Sequence, residues 1–173
     1  MLRQGGTLSS PEYASMWSAI IGVYRDANGE IIDTGADWRG TGIFSWPLAS
    51  NYTLSSTFGW RTLDGKPDFH QAQDIAAPEG TPILASADGV VTVANATDSW
   101  GGGYGYYVRI NHNGTYDTLY AHMVAVAATH GQVVVKGQVI GYVGNTGNSR
   151  GNHLHFEVIE NGVRVDPMQF FTQ

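Results

Sequence analysis

From residue 46 to the end of the chain, short runs of apolar and β-branched residues alternate with turn residues, and this pattern constrains the fold most. Gly, Asn, Asp or Pro stands in nearly every gap between the runs, and no helical period is visible in this part of the chain. The runs lie at residues 82–86, 89–94, 106–110, 117–123, 132–135, 139–143 and 153–159. The pattern predicts a mainly β domain over residues 46–173, built from short strands joined by tight turns.

Residues 1–45 have a different pattern. Residues 10–25 are typical of an amphipathic helix, because Ser10 can cap it, Pro11 suits its first position, and its apolar residues recur on one face. The segment that follows is rich in turn residues. We therefore predict an N-terminal extension with one helix whose apolar face packs on the main domain or on a neighbour. The alternative is a helix that takes part in substrate binding.

Composition excludes several classes of function. The formal net charge is −6 and no basic run occurs, so nucleic acid is not an expected partner. No stretch of 18 or more apolar residues occurs, so we expect no membrane span in this chain. The residues after Met1 lack the apolar segment of a secretory signal, although the chain could be a piece of a larger exported protein. Since the chain has no cysteine, any zinc site must use histidine and carboxylate ligands.

Two pairs of residues have the spacing of a shared reaction centre. His153 and His155 open a predicted strand, and residues two apart on a strand point to the same face. His70 and Asp74 are four residues apart in a segment that reads as extended, which also places both side chains on one side. Taken alone, each pair has an ordinary alternative as part of a polar surface.

Tyr120 and His122 form a third pair, since they lie two apart on a predicted strand and should share a face. In order, the pairs read His-x-x-x-Asp, Tyr-x-His and His-x-His, and they lie beside an Asp-x-Ala-Ala-Pro segment within residues 65–83 and a glycine-rich loop within residues 144–157. In this combination the chain resembles the lysostaphin-type, or M23, zinc endopeptidases over residues 46–168. The resemblance implies an antiparallel β-sheet domain whose loops form the walls of a groove for an extended peptide.

The resemblance implies a role for each of five residues. His70, Asp74 and His155 match the three ligands of a zinc ion. His122 and His153 match the two active-site histidines that do not bind the metal. One of these two would be the general base and the other would stabilise the oxyanion, in either order. Two neutral imidazoles and one carboxylate would leave the zinc site with a formal charge of about +1, which favours ionisation of water.

Five further residues need an interpretation. Tyr120 stands where the family often has a tyrosine, and Ala72 stands where it usually has a glycine. The alanine should be tolerated if its backbone is not left-handed. His112 and His130 match no functional position, and we expect both to be surface histidines. Asn51 could supply an extra ligand that blocks the site, as an upstream asparagine does in latent relatives, whereas a turn is its ordinary alternative.

The function implied by the resemblance is a zinc-dependent endopeptidase that hydrolyses peptide bonds of bacterial peptidoglycan, in a cross-bridge or in a stem peptide. We expect the protein to be extracellular or associated with the cell wall. The alternatives are a catalytically inactive relative that binds cell wall or activates a partner enzyme, and a non-enzymatic, β-rich adhesion domain. Occupation of all five positions favours the enzyme, because inactive relatives typically lose one or more of them. The sequence leaves open which bond is cut.

Overall fold

The computed structural model describes residues 24–25, 31–32, 44–50, 52–97 and 103–171. These residues contain fourteen strands and one short 3₁₀ helix. The prediction of a mainly β domain is therefore confirmed. Among the described residues, no helix is long and apolar enough to cross a membrane.

Every predicted apolar run contains a strand, and the structure adds strands that the pattern did not reveal, chiefly between residues 53 and 76. In chain order the strands are β1 (Tyr24–Arg25), β2 (Ile31–Ile32), β3 (Thr53–Ser56), β4 (Gly59–Leu63), β5 (Lys66–His70), β6 (Gln73–Ala76), β7 (Pro82–Leu84), β8 (Gly89–Asn95), β9 (Tyr106–Asn111), β10 (Tyr116–Val126), β11 (Val133–Val134), β12 (Val139–Val143), β13 (His153–Glu160) and β14 (Val163–Val165). The 3₁₀ helix follows at Pro167–Phe170, where the Asp166 carboxylate accepts a hydrogen bond from the backbone N–H of Met168.

Ten strands form one antiparallel sheet, in which β11, β8, β9, β10, β13, β6 and β3 lie side by side in that order. β12 pairs with β10 and with β7, and β14 pairs with β13. β4 and β5 form a hairpin that pairs with no other strand in the described part of the chain. Because β13 lies between β10 and β6, its residues stand beside residues of both neighbours.

The larger apolar core lies on one face of the central strands. Tyr120 and Phe156, which are opposite each other on β10 and β13, are both fully buried in it. Phe44 joins this core and packs edge-on against Phe170, with ring centroids 5.1 Å apart. Since side chains alternate along a strand, the register pair Asp74 and His155 on β6 and β13 lies on the other face.

An irregularity in β10 separates two residues that were expected to share a face. Between Tyr120 and Met123, β10 has one residue more than its partner β9, and the extra length is a β-bulge. His122 lies in this bulge with a left-handed φ of 62°. The bulge turns His122 away from the core, whereas Tyr120 stays in it and accepts a hydrogen bond from Ser86 N at 2.9 Å. The expectation that Tyr120 and His122 share a face is therefore wrong.

The same bulge divides the pairing of β10. Residues 116–121 pair with β13, and residues 123–126 pair with β12. The sheet therefore forks at His122, and the segment that joins β12 to β13, residues 144–152, lies at the fork.

The prediction of a surface position is wrong for His112 and holds for His130, which is exposed. His112 is fully buried, its Nδ1 lies 2.8 Å from the Asp88 carbonyl, and its Nε2 lies 2.7 Å from Thr118 Oγ1. Burial lowers the pKa of His112 to about 4. The hydrogen-bonding partners explain how a histidine is accommodated in the core.

Two predictions fall wholly or mainly outside the described residues. The predicted helix over residues 10–25 lies outside them except at its end, where Tyr24–Arg25 pairs with Ile31–Ile32 as a short antiparallel ribbon. The predicted helix therefore does not include those last two residues. Asn51 also lies outside the described residues, so its role as an extra ligand stays a prediction.

Candidate metal centre and active site

All five predicted site residues line one open cleft of about 490 Å³. His70 ends β5, Asp74 lies on β6, and His155 lies opposite Asp74 on β13. The bulge in β10 adds His122, and regular alternation along β13 adds His153. The extended reading of the His70–Asp74 segment and the shared face of the two β13 histidines both match the structure.

Three of these residues form a compact set of metal donors. His70 Nε2 lies 3.3 Å from one carboxylate oxygen of Asp74, and His155 Nδ1 lies 3.2 Å from the other. The ligand atoms of the three residues lie within 4.8 Å of one another. His70 and Asp74 are buried, so the donor set lies at the floor of the cleft.

Hydrogen bonds at the far ring nitrogens orient the imidazoles of His70 and His155 towards the Asp74 carboxylate. His70 Nδ1 lies 3.1 Å from the Thr57 carbonyl, which can only accept, so Nδ1 carries the proton and Nε2 keeps its lone pair. His155 Nε2 lies 2.9 Å from a carboxylate oxygen of Glu157, which leaves the lone pair on Nδ1. Ligand histidines in metal sites are held by such bonds from the far ring nitrogen.

The Asp74 carboxylate is the observation that points to a cation. Its Oδ1 is buried and accepts no well-aligned hydrogen bond from the described residues, although His155 Nδ1 lies 3.2 Å away. Two imidazole lone pairs and an unsatisfied carboxylate oxygen facing one point fit a divalent metal ion. Two nitrogen donors and one oxygen donor match the ligand set of catalytic zinc, whereas calcium and magnesium take mainly oxygen.

The pKa values of two groups in the cleft differ strongly from their usual values. Burial alone would raise the pKa of Asp74, but the ring nitrogens of His155 and His70 that face its carboxylate hold that pKa well below its usual range. Burial opposes protonation of His155, yet hydrogen bonds to Asp74 and Glu157 raise its pKa to about 9. In the protein without metal, a second proton on His155 is therefore held at Nδ1 beside Asp74, and a cation bound there would displace it and use the Nδ1 lone pair.

His122 and His153 face the same point from the other side. His122 Nδ1 donates to the Thr146 carbonyl at 2.7 Å, and His153 Nδ1 donates to the Gly151 carbonyl at 2.8 Å. Their ring centroids are 4.9 Å apart, and His153 Nε2 lies 3.6 Å from Asp74 Oδ1. Burial lowers the pKa of His122 to about 4. His122, His153 and His155 also have donor atoms within 4.8 Å, but this second set contains no carboxylate.

The sequence did not single out Glu157 and Tyr104, which support the donor set. Glu157 is buried and accepts hydrogen bonds from His155, from Tyr104 Oη at 2.7 Å and from Arg164 Nε at 3.0 Å. Glu157 continues the alternation of residues 153 and 155 on one strand, so the period of two could have revealed it. Nothing in the sequence separates Tyr104 from the other tyrosines of its glycine-rich segment. Tyr104, not Tyr120, is the tyrosine that lines the cleft.

The two glycine-rich segments meet at the wall of the cleft. Gly105 and Gly147 both have left-handed φ angles, 64° and 71°, and a Cβ on Gly147 would lie 2.4 Å from Gly105 N. Close approach of the two backbones therefore requires glycine at these positions. Ala72, where the resemblance expected glycine, is fully buried and is not among the residues with positive φ, so its methyl group is tolerated as expected.

Comparison with known proteins gives one family. The model of peptidase family M23 matches residues 68–167. The catalytic domain of the prophage-encoded M23 protein EnpA from Enterococcus faecalis superposes with a TM-score of 0.64 at 34% identity, covering 76% of this chain and 100% of that one.

Two curated relatives are enzymes named for their action on cell-wall peptides. Peptidoglycan DD-endopeptidase ShyA of Vibrio cholerae is 36% identical over 152 residues, which are 86% of this chain and 34% of ShyA. DD-carboxypeptidase/endopeptidase Mpg of Neisseria meningitidis is 45% identical over 117 residues, which are 66% of this chain and 26% of Mpg. The chain therefore matches only about a quarter to a third of the length of these relatives.

Proposed function

The chain belongs to peptidase family M23, and on that premise we propose that it is a zinc-dependent endopeptidase that hydrolyses peptide bonds of bacterial peptidoglycan. The observation that carries the proposal is the buried Asp74 carboxylate, which faces the ring nitrogens of His70 and His155 at 3.3 and 3.2 Å. A catalytically inactive binding protein has no use for this arrangement together with two further histidines directed at the same point.

His70, Asp74 and His155 would hold the zinc ion. A zinc ion held by these residues would supply Lewis-acid polarisation of a carbonyl and would make a water molecule more acidic. Glu157 keeps the His155 ring in place through its hydrogen bond to Nε2, and Arg164 neutralises the charge of Glu157. The protein thus orients the donor set from behind.

His122 and His153 would perform the proton transfers. In its neutral form, each ring donates from Nδ1 to a backbone carbonyl and presents a lone pair at Nε2 towards the cleft. Either ring can accept a proton from the attacking water and deliver it to the leaving amine. The rings are close enough to act on one scissile bond. Replacing each histidine singly would test which of the two is the general base.

The names of ShyA and Mpg favour a cross-link between D-amino acids in the stem peptides as the bond that is cut. We propose accordingly that the protein acts in the periplasm or at the cell wall, as part of a larger exported protein. The N-terminal extension over residues 1–45 and the peptidase domain over residues 46–173 remain our proposed division of the chain.

Digestion of purified cell walls of defined chemistry tests the proposal. We expect about one zinc ion per chain, release of new amine termini, and products cut at D,D cross-links by mass spectrometry. The Asp74→Ala protein is the matched control and should release nothing. A zinc-loaded protein that releases no new amine from any wall type would overturn the proposal, and products cut only within glycine bridges would replace the D,D assignment.

A further inference from the structure

Two arginines are the only lysine or arginine residues among the described residues that line the cleft. Arg61 already has partners within the protein, because its Nε donates to Asp68 at 2.7 Å, its Nη1 donates to Ser56 Oγ at 2.8 Å, and the same Nη1 lies 3.9 Å from Asp74 Oδ2. Arg150 pairs with the Asp64 carboxylate, and its side chain is 64% exposed. The cleft therefore contains one exposed guanidinium whose partner is a surface carboxylate.

The Arg150–Asp64 pair joins two segments that both contribute residues to the cleft, since Arg150 and Leu63, the neighbour of Asp64, line it. Asp64 lies in the turn of the β4–β5 hairpin, and Arg150 lies in the segment that joins β12 to β13. The two residues are 86 positions apart in the chain. Their side chains are 67% and 64% exposed, so water screens the pair and its contribution to stability is small. A competing carboxylate can replace Asp64 without a large penalty.

Arg150 is also next to the residues that orient a proposed catalytic histidine. Ser149 Oγ lies 3.2 Å from His153 Nδ1, and the Gly151 carbonyl accepts the proton of the same nitrogen. Arg150 stands between these two residues in the chain. Since Arg150 also lines the cleft, a group bound by its guanidinium would be held in the same cleft as the reaction centre.

From this geometry we propose that Arg150 binds a free carboxylate of the substrate peptide, and that Asp64 occupies the same guanidinium in the free protein. The inference rests on the proposed function and narrows its substrate class. A guanidinium presents a planar fork of donors that matches a carboxylate in two parallel hydrogen bonds. Asp64 accepts a bond from Nη2 alone, so a substrate carboxylate that takes its place can make this bond and a second one, and thus anchor the peptide.

Charge in the rest of the cleft supports the same class of substrate. Asp74 is the one acidic residue among the described lining residues, and it belongs to the metal donor set. With a divalent cation bound, the cleft is positive although the chain as a whole carries −6. An anionic stem peptide fits this surface, whereas a neutral glycine bridge gains nothing from Arg150.

The test uses two cross-linked peptides that differ in one group near the scissile bond, a free carboxylate in one and a carboxamide in the other. For the zinc-loaded wild-type protein we expect kcat/KM to favour the carboxylate peptide about tenfold, the size of one charge-assisted contact. Arg150→Gln should reduce that ratio to about one, and Arg150→Lys should restore part of it. Asp64→Asn should lower KM for the carboxylate peptide, because the competing anion is gone.

The Asp64→Asn protein distinguishes a role of the Arg150–Asp64 pair in substrate binding from a purely structural role. If the pair only braces the cleft, Asp64→Asn and Arg150→Gln will impair both peptides equally, and that outcome overturns the inference. Equal use of both peptides by the wild-type protein also overturns it.

Binding by calorimetry to His122→Ala protein, with and without Arg150→Gln, keeps the two proposals apart. A carboxylate preference in binding with no cleavage by the wild-type protein supports the Arg150 site and contradicts the peptidase. Cleavage by the wild-type protein with no preference for the carboxylate peptide supports the peptidase and contradicts the Arg150 site.

Discussion

The buried His112 leads us to expect a loss of stability in mild acid. Its Nδ1–H donates to the Asp88 carbonyl, and its Nε2 accepts from the Thr118 hydroxyl. The chain of bonds continues in one direction, since Tyr120 Oη donates to Thr118 and accepts from Ser86 N–H. A second proton on His112 would oppose the proton of Thr118 and would bring a charge into the core. Burial accordingly lowers the pKa of His112 to about 4.

The magnitude follows from the difference between the folded and unfolded pKa values. The folded pKa of about 4 lies below the unfolded value of 6.5, so the unfolded chain takes up the proton first as the pH falls. The contribution of neutral His112 is fully present above about pH 6.5 and is lost as the pH falls towards 4. The loss is about 2 kcal/mol at pH 5 and about 3 kcal/mol at pH 4. A domain with a stability of roughly 5–15 kcal/mol would register either change.

Urea unfolding followed by tryptophan fluorescence at several pH values between 7 and 4 measures this loss. The matched variant is His112→Gln, whose side chain does not titrate. At pH 7 the variant should be less stable, and the gap to wild type should narrow by about 2 kcal/mol by pH 5. Other titrating groups, including Asp88, are present in both proteins and largely cancel in the difference. Stability curves that stay parallel over the whole range would refute the reasoning.

The remaining predictions concern the cleft and its walls. Asp74→Ala should abolish both zinc binding and hydrolysis, whereas His153→Ala should keep about one zinc per chain and lose at least about a hundredfold in kcat. Glu157→Gln weakens the bond that orients the neighbouring ligand imidazole, and chelator competition should show zinc affinity reduced by about 10- to 100-fold. Gly147→Ala should lower the free energy of unfolding by about 2 kcal/mol or more, because its Cβ would lie 2.4 Å from Gly105 N.

His130→Ala is a common control for these variants, because His130 is exposed and lies outside the cleft. Loss of zinc from His153→Ala would mean that the ligands are wrongly assigned. Unchanged zinc affinity in Glu157→Gln would remove its orienting role. A Gly147→Ala protein as stable as wild type would contradict the close backbone contact between the two glycine segments.

The site residues on regular strands could be predicted from the sequence, because a period of two is enough to place them. His153 and His155 share a face since β13 has no irregularity along its pairing with β10 or β6. The position of His122 could not be predicted in this way. A bulge depends on how neighbouring strands fit together, and strict alternation would have put His122 in the core beside Tyr120.

The β4–β5 hairpin was missed for a different physical reason. Its strands carry few buried apolar residues, and Trp60 is 76% exposed. Pro67 also lies within β5, where a proline ordinarily argues against a strand. The hairpin is held by an ion pair between Arg61 and Asp68 and by the turn at Gly65. It therefore lacks the alternation of apolar residues by which strands are recognised in a sequence. His112 was misjudged because its burial depends on partners from distant segments.

The fork in β10 has a consequence for how sequences of this kind can diverge. Loops at the rim of the cleft tolerate insertions and deletions, since they change the shape of the walls and leave the strands in place. A single deletion between Tyr120 and Met123 would remove the bulge, and a single insertion would reverse the facing of every later residue of the strand. The length of β10 between Tyr120 and Met123 is therefore constrained together with His122, which the bulge presents to the cleft. We expect related sequences to vary more readily in the loops that contact substrate than in the length of this segment.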